Sequence, residues 1–412
     1  MDVNSRGGWI IHHAQKTKKV SCGNRFSNIQ HAGTCGILLA ALAGTQEATL
    51  SKEKAKTIGA NAGLSTIEFN FAVAELKTKN LLDTTKDSSE IHLLGSTQLS
   101  VLSHTSSLYD SLEKSVEDDI AILIAESASN KPIRAARIKE AIQDRNKLTS
   151  DKVNSILCAA EEVGFFDKEQ LGDDSLYFNG NLFRRDYVTK ASKILDALTP
   201  DDARRMKELL ATLQATPCVL LTEAHSIVGE TLFKKLISIG LFDVSEISNP
   251  FGKTYYVSRP AAYSKYGTAN DDPLDDAKAL VTSLTYGMNQ STRNRGRIMD
   301  ITALMGKLID GGSVGPATAI GQDYTCLELK DVVKTERQSN GMYSMKLLKR
   351  DIGQLALQAI KSGDISPHSL QSFNSASISA FSGPEHQRVE ARNSLSTDQS
   401  AVMEMLRSVR GQ

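Results

Sequence analysis

Hydrophobic positions recur along the chain in two periods, and the order of those periods repeats. The stretches AELKTKNLLDT (74–84), AAEEVGFFDK (159–168) and KKLISIGLFDV (234–244) space their apolar residues as a helix does. Each closes on an apolar pair followed by Asp83, Asp167 or Asp243. After a short polar gap each gives way to the alternating pattern of a half-buried strand, SEIHLLG (89–95), SLYFNG (175–180) and KTYYVSR (253–259). The aspartates stand 84 and then 76 residues apart, too far for a solenoid repeat and suited to a small domain.

The elements inside each copy can be read in order. In the first, GILLAALAG (36–44) is an apolar helix. Ser51 caps a second, SKEKAKTIGANAG, which ends at the Asn61-Ala62-Gly63 turn. Ser65 caps a third, whose apolar positions include Ile67, Phe71, Ala74 and Leu76. In the second copy, Asp118–Ser129, IRAARIKEAIQDR after Pro132, and SDKVNSILCAAEEVGFF supply three helices, and residues 167–180 a hairpin. In the third, PDDARRMKELLATLQ, LLTEAHSIVG and ETLFKKLISIGLF precede a hairpin across Asn249-Pro250-Phe251-Gly252.

From about Asp271 the pattern changes. DPLDDAKALVTSLTYGMNQ and IMDITALMGKLIDGG predict helices, VGPATAIGQ a loop, and DYTCLELKDVV and GMYSMKLLK two strands about Ser339-Asn340-Gly341. RDIGQLALQAIKSG predicts a closing helix, and a Ser-rich tail leads to a short helix, DQSAVMEMLRSVR. The fold class expected is therefore mainly α with small β-hairpins (α+β).

Helix, helix, tight turn, helix and hairpin, in that order, resembles the winged helix-turn-helix superfamily. The resemblance rests on fold pattern, most clearly at 36–95 and 118–180, and covers roughly 60% of the chain. It implies tandem winged-helix domains at 36–98, 112–182 and 196–262. Around them stand a basic N-terminal arm (1–35), a mixed α+β domain (271–363) with a fourth, modified winged helix as its alternative, and the tail (364–412). The arm has an alternative, a terminus packed on the first domain through Trp9, Ile10 and Ile11. The function it implies is DNA binding, as a regulator or as the recognition subunit of a larger machine for replication, segregation or phage defence.

Charge qualifies that expectation. The 48 basic residues are matched by 48 acidic ones, so binding by bulk charge is excluded and only a local basic face can serve a polyanion. The five cysteines include no C-x-x-C pair, which points to a reducing compartment rather than a disulfide framework. No stretch reaches the roughly 18 apolar residues that a membrane span needs. A cytoplasmic, nucleoid-associated protein without a cofactor is expected, with double-stranded DNA and a protein partner or a second copy as partners.

A winged helix sets its third helix in the major groove and its hairpin on the neighbouring backbone. The residues suited to this are Lys52, Lys54, Lys56, Thr66, Asn70 and Lys86 in the first copy. In the second they are Lys131, Arg134, Arg137, Lys147, Lys152 and Asn154. The third copy has Lys234, Lys235 and Lys253 but few groove readers. Arg293, Arg295 and Arg297 alternate with Asn294 and Gly296, and on an extended segment would form a phosphate clamp. Two alternatives stand beside DNA binding. One is an adaptor scaffold built from winged helices, which the neutral charge suits. The other is a metal-dependent nuclease, since Asp310 followed by Glu328 and Lys330 on a strand-like run resembles the restriction-nuclease motif. His12, His13 and His31 lie near Cys22 and Cys35, at spacing unusual for zinc.

Overall fold

The computed structural model describes residues 1–364 except 19, 21, 22, 24, 46, 88, 96–99, 251 and 267–271. The expected tail at 365–412 lies outside the described residues. The described chain is mainly helical, with small three-stranded antiparallel sheets.

Helices α1 (Val3–Thr17) and α2 (Ser27–Ala43) open the chain. The first sheet unit is β1 (Thr49–Ser51), α3 (Lys52–Asn61), α4 (Thr66–Thr78), β2 (Leu82–Thr84) and β3 (Glu90–Leu93), followed by α5 (Val101–Asp110). Helix α6 (Val116–Asn130) leads into the second: β4 (Ile133–Arg134), α7 (Ala135–Asn146), α8 (Ser150–Val163), β5 (Asp167–Leu171) and β6 (Asp174–Phe178). Helices α9 (Arg185–Asp196) and α10 (Pro200–Ala215) precede the third: β7 (Val219–Leu220), α11 (Leu221–Val228), α12 (Glu230–Ser238), β8 (Asp243–Asn249) and β9 (Gly252–Ser258).

The last third of the chain has the same plan. After α13 (Ala261–Ser264), α14 (Asp272–Asn289) and α15 (Ile301–Ile309) come β10 (Val314–Ala317), α16 (Ile320–Asp323), α17 (Thr325–Leu329), β11 (Val333–Arg337) and β12 (Tyr343–Leu347), then α18 (Arg350–Ser362). In all four units the short first strand pairs with the third, and the third with the second. The sequence pattern predicted a loop at VGPATAIGQ and a strand over DYTCLELKDVV. Instead the former holds β10 and the start of α16, and 325–329 is a helical turn. Asp331, at a φ of 53°, breaks that turn before β11 begins. The alternation at 324–330 was a single turn of helix burying only Leu327 deeply on α17.

The basic arm is also corrected for residues 3–17. Helix α1 buries Trp9, Ile10, Ile11, His12 and His13, which is the packed alternative. Helix α2 starts at Ser27, well before the expected apolar run, because its first half packs on α1. An added Cβ at Gly33 would lie 2.2 Å from the Ala14 side chain, and one at Gly7 2.1 Å from the Leu102 carbonyl oxygen of α5. Only glycine permits both approaches. The core of the first two units is continuous, running from Trp9 through Phe69 and Ile124 to Phe166 and Tyr177. The third unit has its own cluster around Leu209, Phe233 and Val257, and the fourth one around Leu280, Met305 and Leu355.

Two buried charges tie these parts together. The Lys265 side chain is 1% exposed. Its Nζ donates to Asp364 Oδ2 (2.9 Å), Glu126 Oε2 (3.3 Å) and Ser5 Oγ (3.3 Å). Trp9 Nε1 donates to the same Glu126 oxygen (2.6 Å), and Asn179 Nδ2 to the Lys265 carbonyl (2.6 Å). Burial alone would lower the ammonium's pKa, but Asp364, Tyr266 and Glu126 hold it well above its ordinary value. Asp118, in the first turn of α6, is the other. Its Oδ2 accepts from the Asn28 backbone N–H (3.2 Å), while Oδ1 has no partner among the described residues. Desolvation pushes this carboxyl from 3.8 up to about 6.

Removing one member of a buried charge cluster leaves the others uncompensated. Lys265→Met is expected to lower unfolding stability by about 3–5 kcal/mol in denaturant titration. A loss below about 1 kcal/mol would show that Asp364 and Glu126 are satisfied without it.

For Asp118 the folded-state pKa lies above the unfolded one. Its contribution is therefore full below pH 3.8 and is lost as pH rises through about 6. Asp118→Asn keeps an acceptor for Asn28 and removes the charge. We expect it to match the wild type near pH 3.5 and to exceed it by roughly 2–3 kcal/mol at pH 7.5. Melting curves of both proteins across that range give the difference, and a pH-independent gap would contradict the assignment.

Candidate nucleic-acid interface

In the first unit the caps set which faces turn outward. Ser51 caps α3 by accepting from Lys54 N (3.3 Å), which leaves Lys52, Lys54 and Lys56 on its exposed first turns. Ser65 and Glu68 form a reciprocal capping box at α4 (2.7 and 3.3 Å). With Phe69, Ala72 and Leu76 turned into the core, Thr66 and Asn70 share the exposed face. Ile67, 82% exposed, and Phe71, 37% exposed, lie beside them. Lys86 is exposed in the turn between β2 and β3. Lys54 pairs with Glu47 (2.7 Å), whereas Lys52, Lys56 and Lys86 form no ion pair among the described residues.

The second unit holds more cations but neutralises some of them from outside the helix pair. Arg134, in β4, donates through Nε (2.9 Å) and Nη2 (2.7 Å) to Asp196 Oδ2 at the end of α9, and stands 3.8 Å from Asp174. Lys152, in the α8 turn capped by Thr149, pairs with Glu117 of α6. The acids interleaved with these cations in sequence, Glu140, Asp144 and Asp151, are not the ones that pair with them. Arg137, Lys147 and Asn154 are exposed, with Lys147 in the left-handed region at φ 52° after α7. Lys131 ends α6 half-buried. Burial first, then the charges of Arg137 and Lys207, lower its pKa.

The arginine cluster is not an extended clamp. Arg293–Arg295 is a 3₁₀ turn, closed by Gly296 at φ 104°. Arg295 Nη2 bonds Asp323 Oδ1 (2.7 Å), which also accepts from Asn249 Nδ2 (3.1 Å) of the third unit's hairpin. Arg297 Nε donates to the Met288 carbonyl (2.8 Å). Arg293 and Arg297 are exposed, but Arg295 is held by Asp323, and it is Asp323 that meets Asn249 of the third unit.

The nuclease motif is not presented by a strand either. Asp310 is the exposed C-cap of α15. Glu328 lies on α17, where its Oε1 accepts from Thr335 N (3.2 Å) and Oγ1 (2.8 Å). Lys330 follows that helix and pairs with Asp276 (2.9 Å). Of the zinc candidates, His12 and His13 pack against the Trp9 ring, His31 pairs with Glu75 (3.3 Å), and Cys22 lies outside the described residues.

The sequence reading left the last third open between a fourth, modified unit and a separate α+β fold, yet it carried a signal for the former. Asp331-Val332 before KTERQSNGMYSMKLL repeats the aspartate that opens the other three hairpins, 88 residues beyond Asp243. Its helices α16 and α17 are too short to show a helical period. Comparison with family models, with curated proteins and with solved structures finds no match for this chain.

Proposed function

We propose that the four repeated units are winged helices and that the first two bind double-stranded DNA. The observation that carries the reading is the recurrence, four times, of strand, two helices and hairpin with the strand order first–third–second. In a winged helix that order turns the second helix of the pair outward as the groove reader. Here that helix is α4 or α8, and each presents an Asn on its exposed face, Asn70 or Asn154, suited to adenine. Lys52, Lys56, Arg137 and Lys147 flank these helices as unpaired cations for phosphate. The Lys54 and Lys152 ion pairs are solvent-exposed and weak enough to open to a phosphate.

A second reading, an adaptor scaffold, is favoured by Ile67 and Phe71, which place apolar surface beside Asn70. Salt separates the two. Full-length protein is expected to bind an unrelated duplex of about 30 base pairs at ~50 mM salt and to lose affinity steeply as salt rises. Lys52→Ala with Lys56→Ala and Lys147→Ala should weaken binding to all sequences by about tenfold and flatten the log–log salt slope by about two to three. Absence of duplex binding at ~50 mM salt would remove the DNA reading and favour the scaffold.

A further inference from the structure

We propose that the C-terminal segment 398–410 (DQSAVMEMLRSVR) docks in the groove between α4 and the α1–α2 pair, and so covers the face of α4 that carries Asn70. The docking stands on the groove itself. Its consequence for DNA rests on the reading above, because Thr66 and Asn70 share that face. Helix α4 is apolar on two sides. Phe69, Ala72 and Leu76 enter the core, while Ile67, Phe71 and Ala74 form a second stripe at helical spacing and stay exposed, Ile67 to 82%. A helix needs only one apolar face to join its own core, and the second calls for something to cover it.

Beside that stripe opens a groove of about 460 Å³, lined by Ile67 and Phe71 together with Ala14 and Thr17 of α1 and Thr34 of α2. Its rim is already fixed. Lys18 Nζ bonds the Gly63 carbonyl (3.1 Å) and Glu68 (3.1 Å), and His31 pairs with Glu75 (3.3 Å) while its ring meets Phe71 edge-on (4.7 Å between centroids). With those charges matched, apolar contact selects the occupant. The chain supplies a complement: Val402, Met405, Leu406 and Val409 fall at i, i+3, i+4 and i+7, the stripe of a helix laid in a groove. The tether leads there. Lys265 holds Asp364 beside Ser5, near the start of α1, and the groove lies at the other end of the same helix. From Ser5 to Ala14 and Lys18 is about 14–20 Å at the helical rise. Roughly 37 residues separate Asp364 from Val402, and at full extension they cover that distance several times. A tethered segment meets the groove at an effective concentration near millimolar, on the order of 1 mM. A separate partner needs about 1,000 Å² of buried surface for a stable contact, more than one groove and two exposed side chains offer.

Oxidation of methionine by dilute peroxide, followed by peptide mass spectrometry on the full chain, tests the docking, since a covered thioether reacts slowly. Met405 lies on the stripe, and Met299, 72% exposed, is the reference. Met405 is expected to oxidise at least about threefold more slowly than Met299, at a ratio independent of protein concentration. Ile67→Asp, at a position already in solvent, should bring Met405 to the rate of Met299. Leu406→Asp, a change in the segment itself, should do the same and decides the matter if Ile67→Asp disturbs folding. Equal rates in the wild type overturn the docking and leave the groove to a separate protein. Protection that survives both substitutions overturns it too, and protection that grows with concentration assigns the groove to the tail of a second copy. On the DNA reading, Leu406→Asp should also tighten duplex binding about threefold at ~100 mM salt. Unchanged affinity, with Met405 released, overturns the control of DNA binding and leaves the docking. If neither protein binds duplex at ~50 mM salt, the DNA reading falls and the oxidation rates still decide the docking.

Discussion

The arrangement of the units depends on one buried ammonium group. Lys265 follows the third unit's sheet and α13, yet its partners come from α1, from α6 and from Asp364, two residues past α18. A lysine at 1% exposure is stable only if carboxylates enter with it. Asp364 and Glu126 do so, and Trp9 and Asn179 satisfy further polar atoms around them. Four units joined only by short connections would be free to turn relative to one another. A charge cluster with donors and acceptors from both ends of the described chain fixes one geometry, because any other leaves a charge buried and unpaired.

Glycine does similar work at the N-terminus by a steric route. Gly7 and Gly33 let α1 approach α5 and α2 at backbone distance, so Trp9 reaches Glu126 and the ring of Tyr266 (4.7 Å between centroids). Helix α1 is thereby both core of the first two units and a wall of the Lys265 cluster. The contact between Asn249, Asp323 and Arg295 does for the third and fourth units what the Arg134–Asp196 pair does for the second and third. Polar locks at successive boundaries leave the apolar clusters to hold each unit internally.

Much of the local structure was legible because it follows from periodicity and capping. Ser51 and Ser65 cap where the pattern placed them, and the hairpins after Asp83, Asp167 and Asp243 form. The opening strands β4 and β7 escaped notice because two residues cannot display a period of two, and three at β1 scarcely can. Helix α1 escaped because a helix buried on several sides has no polar face to alternate with. The candidate cations were legible as residues but not as free or paired ones. Glu117 and Asp196, which neutralise Lys152 and Arg134, lie 35 and 62 residues away in sequence. Arg295 looked like part of a clamp for the same reason, since Asp323 is brought to it only by the fold.

On the proposed DNA reading, that distinction decides which cations of a neutral chain can meet a phosphate. With no net charge to attract DNA from a distance, affinity has to come from places where folding separates cations from acids. Carboxylates pair with Lys265, with Arg134, with Arg204 and Arg205, and, through Asp276, with Lys330 and Lys349. Lys52 and Lys56 on α3, with Arg137 and Lys147 on and just after α7, are among the cations that have no ion pair among the described residues. Asp196 joins α9 to β4 and neutralises Arg134 in one pair, so on the DNA reading a single contact both sets the boundary between the second and third units and takes Arg134 out of the cations open to phosphate.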